Sequence, residues 1–133
     1  MGWLSDEINI NELIGKTMLK IDVLKEIDEI LFYADDGKIY KMYHEQDCCE
    51  GVEIDDICGN INDLVGSPLL MAEVVMNEDN GVRGEWDDSY TWTFYKFATV
   101  NGYVTIRWYG QSNGYYSESV EIVEVKKEDL VNE

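Results

Sequence analysis

The stretch Tyr90-Thr91-Trp92-Thr93-Phe94-Tyr95-Lys96-Phe97-Ala98-Thr99-Val100-Asn101-Gly102-Tyr103-Val104-Thr105-Ile106-Arg107-Trp108-Tyr109 decides the fold. Asn101-Gly102 is the preferred pair for a two-residue type I′ turn, in which both residues take positive φ and the flanking strands keep their right-handed twist. Such a turn predicts a register with Thr99 opposite Val104, Phe97 opposite Ile106 and Tyr95 opposite Trp108, all on one apolar face that belongs to the core. The other face then sets Lys96 directly opposite Arg107, flanked by Phe94, Tyr109, Ala98 and Thr105.

Outward from this hairpin the signals are mostly β. Residues 17–24 alternate as a strand, and residues 29–34 and 38–44 flank Asp36-Gly37, a strong hairpin signal. Residues 52–57 alternate apolar and acidic side chains, as a half-exposed strand does, and residues 69–76 read as a further strand. Residues 60–65 fit one helical turn closed by Gly66 and followed by Pro68, and residues 77–88 form a polar, acidic loop. At the N-terminus, residues 5–14 predict a short helix with Ser5 as N-cap and Gly15 as its end. A turn at Ser112-Asn113-Gly114 leads to a last strand over residues 115–125, with a tail from about 126. The expectation is a single domain over residues 1–133 of the α+β class. It is mainly antiparallel β, a single twisted sheet or partly open barrel with one or two short helices.

Composition bounds the function. With 28 Asp+Glu against 10 Lys+Arg, the formal net charge of the 133 residues is −18, while 45% hydrophobic residues and a single proline argue for a packed core rather than a disordered acidic tail. Phosphate backbones and anionic lipid surfaces are contacted by Lys and Arg, so direct nucleic-acid or membrane binding is not expected. The first residues carry neither a basic region nor an apolar run, and no stretch approaches the ~20 apolar residues of a membrane span, which points to the cytoplasm. Cys48, Cys49 and Cys58 are odd in number, and adjacent cysteines pair only through a strained bridge, so free thiols are expected.

The charge is unevenly placed. Residues 43–82 hold ten acids and no Lys or Arg, whereas residues 89–117 hold no acid, only Lys96 and Arg107, and ten of the sixteen aromatic residues. An acidic middle therefore meets an aromatic, weakly basic hairpin in one small domain. At Tyr43-His44-Glu45-Gln46-Asp47-Cys48-Cys49-Glu50, Ile54-Asp55-Asp56-Ile57-Cys58-Gly59 and Asp63-Leu64-Val65-Gly66, the chain resembles a family of short uncharacterised proteins of phages, prophages and their bacterial hosts. The resemblance resumes at Thr93-Phe94-Tyr95-Lys96-Phe97 and at Ile106-Arg107-Trp108-Tyr109-Gly110-Gln111-Ser112-Asn113-Gly114-Tyr115-Tyr116-Ser117-Glu118, and it spans about residues 13–123. It implies a phage-type accessory protein and brings no catalytic residue with it.

Three candidate sites follow from the residues. His44, Cys48 and Cys58, with Asp47, include the zinc-ligand types, but thiolate pairs usually come as C-x2–4-C, and adjacent cysteines point apart on an extended strand. A Cys48–His44 nucleophile is opposed by Asp47 and Glu50, whose charge raises a thiol pKa rather than lowering it. No metal and no cofactor are therefore expected. Lys96 opposite Arg107 is a like-charge pair across a ladder, which requires an anion between them. Either an acid of the same domain such as Asp47 or Glu50 supplies it, or a phosphate or nucleotide does, held by Lys96, Arg107, Tyr109, Asn113 and Tyr115. The third candidate is the acidic surface of Glu45, Asp47, Glu50, Glu53, Asp55, Glu78, Asp79, Asp87 and Asp88, suited to a basic host protein that normally binds nucleic acid. The expected activity is non-enzymatic anti-defence binding, and a homodimer is a further possibility left open by the residues.

Overall fold

The computed structural model describes residues 6–45, 50–79, 89–112 and 119–125, with the backbone alone at positions 6, 7, 78, 79 and 89. The described residues form strands β1 (Asp6–Glu7), β2 (Met18–Leu24), β3 (Glu29–Ala34), β4 (Ile39–Tyr43), β5 (Gly51–Cys58), β6 (Met71–Asp79), β7 (Ser89–Thr99), β8 (Gly102–Ser112) and β9 (Glu121–Val125). Every strand pairing is antiparallel, as expected.

The strands divide into two sheets rather than one, in the orders β1-β9-β4-β3-β2 and β5-β8-β7-β6. The physical reason lies in two apolar faces that each need a cover. Ile30, Phe32, Tyr40 and Met42 line one face of the five-stranded sheet, and Tyr95, Phe97, Val104, Ile106 and Trp108 line one face of the four-stranded sheet, all buried in a common core. Stacking the sheets buries both faces at once, which one open sheet does not. Phe32 and Phe97 meet across the layers with ring centroids 5.7 Å apart.

Helical content among the described residues is two single 3-10 turns, Ile10–Leu13 and Ile61–Leu64. The expected helix over residues 5–14 is thus shorter. Asn9, not Ser5, is its N-cap, in a capping box with Glu12. Asp6 and Glu7 pair instead with Glu124 and Val123 of β9, because a short segment beside an open sheet edge gains more from ladder bonds than from one helical turn. Gly15 and Gly66 follow the two turns with φ of +91° each. Residues 77–79, expected as the start of a loop, are strand instead, since β6 runs through Asp79 in register with Tyr90. No helix among the described residues is long and apolar enough to cross a membrane.

The β7–β8 hairpin keeps its predicted faces but not its predicted register. Thr99 pairs with Gly102, so the two turn residues are Val100 and Asn101, and Phe97 faces Val104 while Tyr95 faces Ile106. Neither Val100, Asn101 nor Gly102 has positive φ, so the turn is not type I′. Two local effects move it. The Thr99 hydroxyl accepts the Asn101 N–H at 3.1 Å and donates to the Asp63 carbonyl, and a Cβ on Gly102 would stand 2.6 Å from Asp63 Oδ2. Gly102 is therefore demanded by the close approach of the second 3-10 turn. A slip of this size leaves the alternation intact, so the core face is unchanged.

Candidate functional site

The side of the four-stranded sheet away from the core carries Lys96, Arg107 and Tyr109 together with Glu53 and Asp55. Along β5 the apolar positions Val52, Ile54 and Ile57 are not evenly alternating, and the pairing with β8 shifts between Ile54 and Asp56. That β-bulge returns Ile57 to the core and leaves both Asp55 and Asp56 beside Arg107. The side chain of Asp28, a turn residue with φ of +52°, accepts the Ile54 N–H at 3.0 Å and steadies the bulge from the other sheet.

Arg107 consequently has an acid partner, and Lys96 is not opposite it. The guanidinium donates from Nε to Asp55 Oδ2 at 2.7 Å, approaches the same oxygen through Nη2 at 2.6 Å and lies 3.9 Å from Asp56. It stacks over Trp92 at 5.4 Å; Trp92 packs on Tyr109 at 4.6 Å, and Tyr109 on Tyr90 at 6.1 Å. Across the ladders Arg107 faces Phe94, while Lys96 faces Thr105 and Glu73. The like-charge pair expected from the type I′ register dissolves because the turn is displaced. Glu53, exposed, stands opposite Tyr109, and Tyr103, 51% exposed, marks the rim. Asn113 and Tyr115, assigned to the same ligand site, lie outside the described residues.

A second constellation sits where β4 ends. His44 Nδ1 lies 2.6 Å from the Ser119 carbonyl and Nε2 lies 2.7 Å from Glu50 Oε2, with side-chain exposures of 4% for His44 and 0% for Glu50. A carbonyl only accepts, so Nδ1 donates to Ser119, and Nε2 is left to bond the Glu50 carboxyl. Glu50 is therefore a core-side partner of His44, not part of the exposed acidic surface and not the counter-ion of Arg107. Neighbouring Tyr43 has its hydroxyl pKa pushed up to about 12, first by burial and then by Glu45 and Glu121. Its ring lies 4.6 Å from Lys41 Nζ and its hydroxyl 3.4 Å from exposed Glu45.

His44 and Cys58 are not brought together. Cys58 is exposed at the far end of β5, eight residues beyond Glu50, which is about 25 Å of extended chain. Its thiol meets Asp56 at 3.7 Å. Among the described residues no three His, Cys, Asp or Glu side chains are placed to hold a metal ion. Asp47, Cys48, Cys49, Asp87 and Asp88 lie outside the described residues, and Glu78 and Asp79 belong to β6 rather than to a loop.

Two features escaped the sequence reading. The spacing Ile54-Asp55-Asp56-Ile57 breaks strict alternation and is the available signal for the bulge. Tyr90 and Trp92 belong to the aromatic row because they share the parity of Phe94 and Lys96 along β7, a signal already present once that face was assigned. Neither the curated proteins nor the solved structures contain a match to this chain. A family model does match, over residues 11–122, a span that includes β2 to β8, the second 3-10 turn and every described residue of the Arg107 face. On that match the chain belongs to the family described as a domain of unknown function, DUF7448.

Proposed function

We propose that this chain is a non-enzymatic, phage-type accessory protein that binds a basic protein in the cytoplasm, as an anti-defence inhibitor that mimics nucleic-acid charge. The observation that carries this reading is the capture of Arg107 by Asp55, with Asp56 close by. An anionic ligand at this face has to displace Asp55 and then meet Asp56 and Glu53, so the local charge disfavours phosphate and favours a cation. Arg107 over Trp92 also supports the reading, since the ring already accommodates a guanidinium on this face. A partner's Arg or Lys side chains would lie along Trp92, Tyr109 and Tyr90 and reach the carboxylates of Glu53, Asp56 and Glu73.

The test is capture of a defined basic nucleic-acid-binding protein from the host at low and high salt, with duplex DNA as competitor. The triple variant Glu53→Gln, Asp56→Asn and Glu73→Gln provides the comparison. Binding that weakens steeply with salt, yields to DNA and is lost in the variant supports the proposal. Binding that survives all three conditions overturns it, and the charge then serves solubility alone.

A further inference from the structure

Strands β5, β8, β7 and β6 lie side by side in that order, which gives the face that carries Arg107 two borders and a middle. One border, on β5, holds Glu53, Asp55 and Asp56; the other, on β6, holds the exposed Glu73. The middle, on β7 and β8, holds the half-buried rings of Tyr90, Trp92, Phe94 and Tyr109. Val75, opposite Phe94 and 43% exposed, and Tyr103, 51% exposed, extend this apolar strip. Among the described side chains of the face, four carboxylates stand against Lys96 and Arg107, and Asp55 already pairs with Arg107. Strand geometry sets the dimensions of the strip. Three spacings of about 4.8 Å separate the acidic borders by about 14 Å, and the stretch of β7 from Tyr90 to Ala98 runs for about 27 Å.

We propose, as a step that rests on the basic-partner reading above, that this face receives an amphipathic α-helix of the basic protein. The helix lies along the strands, with its apolar stripe on the aromatic middle and Lys or Arg on both flanks. A helix of about 18 residues is about 27 Å long and 10–12 Å across with its side chains, so it fits between the borders and leaves the acids uncovered. Its period of 3.6 residues sets apolar side chains at i, i+3, i+4 and i+7 on one stripe, with polar residues on either side. An extended segment has a period of two and presents one row of side chains to the sheet, so it cannot set an apolar centre between two rows of cations. The stems of Lys and Arg cross the outer rings and bring their charged heads to Glu53 and Asp56 on one border and to Glu73 on the other. Charge selects the basic helix over other amphipathic helices. An acidic one is repelled at both borders, and a neutral one leaves both without a counter-charge.

Calorimetric titration of the full chain with two amidated peptides of about 18 residues tests the proposal. Both peptides have the same composition of Leu, Ala and Arg. In the first, leucines follow the i, i+3, i+4, i+7 pattern with arginines on both flanks; in the second, the same residues are scrambled. The first should bind at least about 10-fold tighter and be helical in the complex by circular dichroism. Neutralising either border, by Glu53→Gln with Asp56→Asn or by Glu73→Gln, should weaken it about 2- to 5-fold. Asp35→Asn, which removes an exposed acid from the turn between β3 and β4 in the other sheet, should leave it unchanged.

Equal affinity for the two peptides, a complex without helix, or sensitivity at one border alone overturns the helix while leaving a basic partner in place. Binding of neither peptide by a chain that still captures a basic protein overturns it as well. Failure of that capture removes the basic partner itself, and the helix with it.

Discussion

The indole N–H of Trp108 points at the sulfur of Met42, 3.3 Å away, and joins the four-stranded sheet to the five-stranded one through the centre of the core. Both side chains are fully buried. A thioether is a weak acceptor, yet in this apolar setting the alternative is an indole N–H with no partner at all.

That relationship predicts a coupled pair. Met42→Leu conserves volume and on packing grounds alone costs less than ~1.5 kcal/mol. Because it also strands the Trp108 N–H, the loss should reach about 1–3 kcal/mol in urea unfolding. In a Trp108→Phe background, which has no N–H to strand, the same Met42→Leu change should cost only its packing share. Equal costs in the two backgrounds would show that the sulfur acts by shape alone.

At the β7–β8 turn the expectation concerns Gly102. Its φ is not positive, so a Cβ is resisted by Asp63, 2.6 Å from Oδ2 and 3.0 Å from both Cβ and Cγ, and not by backbone strain. Gly102→Ala should lower stability by roughly 1–3 kcal/mol, and Asp63→Ala in the same chain should recover much of that loss. If the double variant is no more stable than Gly102→Ala, the steric account is wrong.

These two places show how far the sequence was legible. Alternation along residues 90–109 revealed which side of the hairpin is buried, because parity survives a register slip of this kind. It could not reveal the register itself, which depends on Thr99 and Gly102 meeting Asp63, 36 residues from Thr99 along the chain. The same holds at the site. Asp55 and Asp56 were visible as acids and Arg107 as a cation in need of one, but their meeting depends on a bulge and on the β5–β8 pairing. His44 and Glu50 lie six residues apart, and local sequence offers the first only as a zinc-ligand candidate disfavoured by the cysteine spacing and the second as a surface acid or a counter-ion for Lys96 and Arg107. Their bond to each other and to Ser119 comes from the return of the chain after β8, a non-local event without a local signal.

The Asp36 turn predicts a response to acid. Asp36 accepts from Lys16 Nζ at 2.7 Å and from the Lys38 N–H at 3.0 Å, and these contacts, Lys16 first, hold its carboxyl below the ordinary value of 3.8. A carboxyl depressed in the folded state contributes stability that is fully present above the unfolded pKa and is lost as pH falls through the folded one. Both side chains are partly exposed, so the contribution is at most ~1 kcal/mol. Asp36→Asn should therefore lower the urea midpoint at pH 6–7, with the difference from wild type vanishing towards pH 2–3. The Lys16 ammonium is raised by the same bond, and its contribution is lost at the alkaline end, as pH rises through its folded pKa, above 10.5. A difference that is constant across the acid range would refute the linkage.

Glu50 makes the strongest prediction. It is 0% exposed at the side chain and bonds Nε2 of His44 at 2.7 Å, while the other ring nitrogen is committed to the Ser119 carbonyl. Removing one member of a buried, hydrogen-bonded pair leaves the other without its partner, at a cost of about 3–5 kcal/mol, so Glu50→Ala should unfold at much lower urea than wild type. Glu50→Gln behaves differently, because an amide N–H donates to Nε2 of a neutral imidazole that still gives its Nδ1 proton to Ser119. The amide variant should therefore retain most of the stability. Urea unfolding of Glu50→Ala and Glu50→Gln at pH 7 distinguishes the cases. If the two variants are equally unstable at pH 7, Glu50 contributes through its charge and not through the bond to His44.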